Sequence, residues 1–272
     1  MIDYISSLEL IDQTPIGQSS LSNPVTYIKA YDEIRELYSK QPLSKMRGFM
    51  PKHFSFNVDG GRCDACKGEG EQLVEMQFLA DVHLVCDVCN GKRFKEEVLE
   101  VLYKEKNIHD VLEMSVDEAI AFFGTAIEKP KGKTTEEGAD VSKKRQSLSD
   151  VGMGYVKLGQ SSNTLSGGEA KRVKLASFLG KGKALGHILF SFDEPTTGLH
   201  FHDIKKLLAS FNALIEQGHS IIVIEHNTDV VKSCDWVIDL GPEAGDMGGN
   251  LVFAGKPLDL KRIKESHTGK FL

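Results

Sequence analysis

Apolar and polar positions change rhythm several times along this chain. Near the start, Leu8-Glu9-Leu10-Ile11-Asp12-Gln13 reads as a strand, closed by the breakers Pro15 and Gly17. After a polar stretch around Ser22-Asn23-Pro24, the positions Tyr31, Ile34, Leu37 and Tyr38 recur at helical spacing and predict a helix over 31–40. Between 51 and 100 the texture shifts to clustered glycines and cysteines, with strand-like segments at 72–78 and 82–85. Helical spacing returns over 107–123 through Ile108, Val111, Leu112, Val116, Ala119, Ile120 and Phe123. Ser115, followed three residues later by Glu118, predicts a cap for the second helix of this stretch. Residues 129–149 are rich in Lys, Glu, Thr and Gly and nearly free of large apolar side chains, so most of the segment reads as a mobile loop.

From Val151 the pattern alternates. A helix is predicted over 167–180, a strand over 187–193, a helix over 202–217, a strand over 220–225 and a shorter strand over 235–240. Strand–helix–strand alternation predicts an α/β fold with a mostly parallel sheet covered on both faces. No internal repeat is visible. The 272 residues suffice for one large domain or two modest ones. With 40% apolar and 26% charged residues the composition is that of a globular chain. The net charge of −6 gives no overall basic footprint, so any nucleic-acid contact has to come from local patches. The first residues carry neither a basic nor a long apolar stretch, and runs such as 221–224 are too short to span a membrane.

Four of the five cysteines change this picture. Cys63-Asp64-Ala65-Cys66 and Cys86-Asp87-Val88-Cys89 are separated by nineteen residues, and Cys234 stands alone. Four thiolates in this spacing can close a tetrahedral Zn²⁺ site, and an odd cysteine count argues for a reducing, cytoplasmic setting. Two disulfides or a redox pair are the alternatives, and His83, between the pairs, is a weaker ligand candidate. Gly68, Gly70 and Gly91 follow the pairs closely and would let backbone bend around the sulfurs. A closed four-cysteine site leaves no open position, so the metal would be structural.

The second chemical signal is Leu165-Ser166-Gly167-Gly168-Glu169, directly before a helical stretch. Ser166 and Glu169 form a capping box in one reading. In the other, the glycines open the helix start to an anion, where bare N–H groups and the macrodipole favour negative charge. Val173, Ala176 and Leu179 are the expected buried face, with Lys171, Arg172 and Lys174 elsewhere. Downstream, the apolar 187–192 leads into Asp193-Glu194-Pro195. A strand ending in adjacent acids places both at the C-terminal edge of the sheet, where α/β proteins bind ligands. The first acid can hold Mg²⁺ through its water shell and the second can polarise an attacking water. Ser191, inside the strand, needs a partner if buried. His226, at the end of the next apolar strand, is a candidate γ-phosphate contact.

The order Leu-Ser-Gly-Gly-Glu, strand plus Asp-Glu-Pro, strand plus His resembles the second half of an ABC-type ATPase. Tyr155-Val156-Lys157-Leu158-Gly159-Gln160, Asp193 to His200, Ile224-Glu225-His226-Asn227, Asp239-Leu240-Gly241-Pro242, Ile11 to Gly17 and the cysteine module together resemble the UvrA family. That resemblance implies a partial ABC-type core at 1–21, an inserted signature domain at 22–159 with its zinc module at 60–95, and the C-terminal part of the ATPase core at 160–272. It implies that Gln13 is the Q-loop glutamine, that Ser166, Gly167 and Gly168 form the signature loop, and that Asp193 binds magnesium. It likewise makes Glu194 the general base and His226 the switch histidine, with ATP and Mg²⁺ as cofactors. The setting it implies is excinuclease-based nucleotide excision repair within the SOS response. The partners would be damaged double-stranded DNA, a UvrB-like protein and a second copy of the full-length protein. Among basic clusters, Lys92, Arg93 and Lys95 are the candidate DNA contacts, because they follow the metal-held turn; a solvated lysine face is the alternative.

One departure matters. No G-x-x-x-x-G-K-[ST] phosphate-binding loop occurs; Gly180-Lys181-Gly182-Lys183 and Gly255-Lys256-Pro257 both fail the pattern. In the family that loop would precede residue 1, so the chain reads as missing an N-terminal portion, and 267–272 resembles the family's natural end. The expected consequence is a chain unable to hydrolyse ATP alone. A UvrA-like drug-resistance paralogue and a non-catalytic, zinc-dependent interaction module from a split gene are the competing readings.

Overall fold

The computed structural model describes residues 4–12, 14, 16–17, 21–74, 82–124, 146–180, 186–243, 245 and 248–272. Seven strands lie among the described residues: β1 (Ser7–Ile11), β2 (Glu71–Val74), β3 (Val82–Val85), β4 (Ile188–Asp193), β5 (Ser220–Ile224), β6 (Val237–Gly241) and β7 (Asn250–Gly255). The chain divides into two compact units, Met1–Asp12 with Gly182–Leu272, and Gln13–Lys181. The helix Gly167–Leu179 therefore falls in the same unit as the four cysteines.

In the first unit β1, β4 and β5 form a parallel sheet with β4 at its centre. Alternation along the strands sorts their side chains to two faces. Ile188, Phe190 and Phe192 of β4 are buried, as are Ile204, Leu207, Phe211 and Leu214 of the helix Phe201–Glu216. The Phe192 and Phe211 rings meet with centroids 4.7 Å apart. Each such side chain removed from water contributes roughly 1.5–3 kcal/mol, which is what fastens helix to sheet.

The opposite face is bare among the described residues. Leu8 pairs in register with Leu189, and Leu10 and Ile222 flank Ser191. Leu8, Leu10, Ile222 and Ile224 are 65%, 60%, 54% and 54% exposed, values that belong to a surface and not to a core. The expectation of a sheet covered on both faces is thus met on one. The strands carry apolar residues at both sets of alternate positions, while the helix packed here covers a single side. Ser191, half exposed on the bare face, needs no buried partner. The strand expected at 235–240 is present as β6, but it pairs antiparallel with β7 in a separate sheet and does not extend the parallel one.

In the second unit the helix Tyr31–Ser39 buries Tyr31, Ile34 and Tyr38. Each tyrosine brings its hydroxyl to a carbonyl, Tyr31 to Phe54 at 2.7 Å and Tyr38 to Lys106 at 2.8 Å, so the rings enter the core without orphaning a donor. The 107–123 stretch forms two helices, Ile108–Glu113 and Val116–Gly124. Ser115 caps the second: Glu118 N–H donates to its hydroxyl at 3.2 Å, and Ser115 N–H donates to the Glu118 carboxylate at 2.8 Å. Short helices at Pro24–Tyr27 and Pro42–Arg47, each opened by a proline, have too few residues to show a period in the sequence. Of the polar stretch 129–149, residues 146–149 are helical, and the remainder lies outside the described residues. No helix among the described residues is long and apolar enough to cross a membrane.

Candidate metal centre and nucleotide-binding edge

Cys63, Cys66, Cys86 and Cys89 converge, with all four sulfurs within 4.8 Å of one another and all four residues buried. The Cys63–Cys86 and Cys66–Cys89 sulfurs are 4.0 and 3.6 Å apart. A tetrahedron of Zn–S bonds near 2.3 Å puts sulfurs about 3.8 Å from one another, whereas a disulfide needs about 2.05 Å. The donor set therefore fits Zn²⁺, and the disulfide alternative does not fit.

The backbone builds this pocket from two turns stitched together. Cys63 N–H donates to Arg93 O at 2.8 Å, Cys86 N–H to Gly70 O at 2.9 Å and Lys95 N–H to Gly61 O at 2.9 Å. Gly70 N–H also donates to the Cys66 sulfur at 3.3 Å. Gly68, Gly70 and Gly91 have φ of +90°, +81° and +77°, as their places after the cysteine pairs predicted. Burial pushes the Cys66 thiol up, and the Cys89 thiol up to about 12, while the Cys89 backbone N–H draws Cys86 down. Four sulfurs this close cannot all ionise without a cation between them, which is the charge a metal supplies. His83 lies on β3, exposed, 3.5 Å from the Glu71 carboxylate and outside the sulfur cluster.

The candidate DNA residues sit beside this module. Lys92 is exposed. The Arg93 guanidinium donates to Gly159 O at 2.9 Å and lies 5.6 Å from the Phe56 ring centroid. Lys95 is 2.8 Å from the Asp64 carboxylate, and that hydrogen bond holds its ammonium pKa above the ordinary value.

In the same unit, Ser166 is the N-cap of the helix Gly167–Leu179. Glu169 N–H donates to the Ser166 hydroxyl at 3.3 Å, and Ser166 N–H donates to the Glu169 carboxylate at 2.7 Å. Gly167 and Gly168 occupy the first helical turn, where their N–H groups have no intrahelical acceptor. One expectation fails here: Lys171 and Arg172 are 2% and 6% exposed, so the buried side is not confined to the apolar residues. Arg172 reaches the Tyr155 hydroxyl at 3.4 Å, and that hydroxyl donates to Glu169. Such polar partners are what let long cationic side chains enter a core.

In the first unit the carboxyl end of the sheet carries the other candidates. Asp193 ends β4 in register with Ile224 of β5. Glu194 follows with φ +43°, a left-handed conformation that costs a side-chain-bearing residue roughly 1–2 kcal/mol. Its N–H donates to Ile224 O at 2.9 Å, and its carboxylate stands 3.6 Å from Nε2 of His226. Asp193 is exposed, and the His226 side chain is 85% exposed, so both are open to a ligand. Gln13 lies outside the described residues.

Glu225 is a further residue of this edge, one that the sequence does not single out. Its carboxylate accepts three backbone N–H groups, from Thr196 at 2.7 Å, His226 at 2.9 Å and Asn227 at 3.1 Å. The signal available was an acid one residue past an apolar strand, which by itself looks like a solvated strand end.

No protein-family model matches the chain. Curated relatives do, two of which follow. UvrABC system protein A of Agrobacterium fabrum is 50% identical over 270 residues, covering 99% of this chain and 26% of that protein. UvrABC system protein A of Aquifex aeolicus is 51% identical over 271 residues, covering 100% of this chain and 28% of that protein. Among solved structures, UvrA2 from Deinococcus radiodurans superposes with a TM-score of 0.87 at 42% identity, over 100% of this chain and 32% of the other. The chain spans about a quarter of the length of the curated relatives it matches. At this identity along essentially its whole length, it belongs to the UvrA family and corresponds to one portion of a UvrA protein.

Proposed function

We propose that this chain is the C-terminal part of a UvrA-type ABC ATPase that recognises damaged double-stranded DNA in excision repair. The observation that carries the proposal is Asp193, Glu194 and His226 at the carboxyl edge of one parallel sheet, with Glu194 and His226 3.6 Å apart. Mg²⁺, when bound, neutralises phosphate charge; Asp193 is the residue that would hold it through water. Glu194 would take the proton of the attacking water, and His226 would orient the γ-phosphate from the neighbouring strand end. Gln13 would serve as the Q-loop residue. Ser166, Gly167 and Gly168 would cover a nucleotide held by another ATPase half, their bare helix-start N–H groups meeting its phosphates.

The bare apolar face of the sheet supports the view that further UvrA sequence completes this core, since parallel sheets are covered on both sides. The phosphate-binding loop absent from these residues would come with that sequence. Zn²⁺ at Cys63, Cys66, Cys86 and Cys89 would hold a module that presents Lys92, Arg93 and Lys95 to the DNA backbone. Lys92 would lead, because Arg93 and Lys95 first have to leave Gly159 O and Asp64. A UvrB-like protein and a second UvrA copy would be the protein partners, in the cytoplasm.

The test combines this chain with the remainder of a UvrA protein. The expected result is ATP hydrolysis by the combination and none by the 272 residues alone. Glu194→Gln should lower kcat by about 10²–10⁴-fold, the range of a lost general base. A combination without ATPase activity, or one indifferent to Glu194→Gln, would overturn the proposal.

A further inference from the structure

We infer that Glu225 is the positioning residue of the Asp193–Glu194–His226 edge: its carboxylate ties the loop after β4 to the turn after β5 and so fixes Glu194 opposite His226. The inference rests on the ATPase reading for its purpose and on the hydrogen bonds alone for its geometry.

The physical need is at Glu194. A left-handed backbone at a residue with a side chain persists only where its surroundings over-determine it. Here the strained residue is held on both sides by one strand end. Before it, Glu194 N–H donates to Ile224 O at 2.9 Å. After it, Thr196 N–H donates to Oε1 of Glu225 at 2.7 Å. The other carboxylate oxygen, Oε2, accepts His226 N–H at 2.9 Å and Asn227 N–H at 3.1 Å. One carboxylate thus holds the backbone of both loops, and charge-assisted bonds of this length are about twice as strong as neutral ones. Asn227 continues the anchor by capping the helix Thr228–Ser233 through Asp229 N–H at 2.9 Å and Val230 N–H at 3.4 Å. The Glu194 carboxylate, which also accepts from the Thr197 hydroxyl at 3.4 Å, is left 3.6 Å from Nε2 of His226.

Glu225 touches neither reacting atom in this scheme. It acts through the backbone, which is why its two oxygens can be separated experimentally. Glu225→Gln keeps the shape and places an NH₂ where one oxygen accepted. Glu225→Asp keeps both oxygens on a shorter arm, which still reaches the N–H groups of its own turn, as Asp commonly does, and falls short of Thr196.

The test uses the ¹⁵N-labelled 272-residue chain, with the emission of Trp236 as the check that the sheet unit is folded. In both variants the Thr196 amide should exchange at least about tenfold faster, the loss expected for one charge-assisted bond. His226 and Asn227 amides should stay protected in both variants, because the one acceptor oxygen that Gln keeps serves the two N–H groups of its own turn. In the unsubstituted chain the His226 ring signals should shift on Glu194→Gln; with Glu225→Gln present that response should vanish. Unchanged Thr196 exchange in both variants, or a His226 response that survives Glu225→Gln, overturns the inference. In the reconstituted ATPase, Glu225→Gln should lower kcat by roughly ten- to a hundredfold, the scale of a misplaced reacting group, with nucleotide KM within about twofold. If Glu194→Gln leaves that ATPase intact, the functional reading fails while the amide result still decides the role of Glu225.

Discussion

Gly68 carries a severe steric constraint beside the four sulfurs. Its φ is +90°, and a Cβ there would sit 2.1 Å from the carbonyl oxygen of Phe56, a backbone atom that cannot step aside alone. Gly68→Ala meets the left-handed penalty of roughly 1–2 kcal/mol and the collision together. We expect the variant to hold zinc at least about tenfold more weakly, that penalty expressed as an equilibrium, as measured by competition with a chromophoric chelator. Affinity equal to that of the unsubstituted chain would remove Gly68 from the account. At this scale the cysteines and their glycines were legible, because ligand spacing and positive φ are local properties. The burial of Lys171 and Arg172 was not, because what admits a cation to a core is a partner far along the chain, here Tyr155 for Arg172.

Among the elements, the junction of β4 and β5 is sensitive to protonation. His219, 6% exposed, accepts Ile188 N–H on Nδ1 at 3.3 Å and packs edge-on against Phe190. Burial holds its pKa below the ordinary histidine value, and the nearby His187, itself 2.9 Å from the Ser220 hydroxyl, pushes the same way. The neutral ring is the folded form, so its contribution to stability is complete above about pH 6.5 and is lost as the pH falls through the lower folded-state value. Urea midpoints should therefore drop between pH 7.5 and 5.5, and His219→Gln should flatten that slope; an unaltered slope would exclude His219 as its source. β1, β4, β5 and β6 were legible from their apolar runs, and β7 was not. Nor was the antiparallel pairing of β6 with β7, since an apolar run marks a strand without naming the strand beside it.

For the whole molecule, the two units offer separate reporters. The sole tryptophan, Trp236, lies in the sheet unit, and the four sulfurs lie in the other. Removing metal with a strong chelator should collapse the amide signals of the cysteine module, since ligation there supplies folding free energy to a segment with little core of its own. Trp236 emission should stay as it was; a simultaneous change would mean that the metal supports the sheet as well. The sequence alone determined that this chain has a four-cysteine module, a glycine-opened capped helix and strands ending in Asp193-Glu194 and His226, because spacing, period and capping are written over a few residues. Only the tertiary structure decided that one sheet face is bare among the described residues, that Glu194 is held in a left-handed turn, and that Glu225 joins two loops. Those features arise where residues distant in sequence meet, and the free energy that fixes them belongs to the contact and not to either segment.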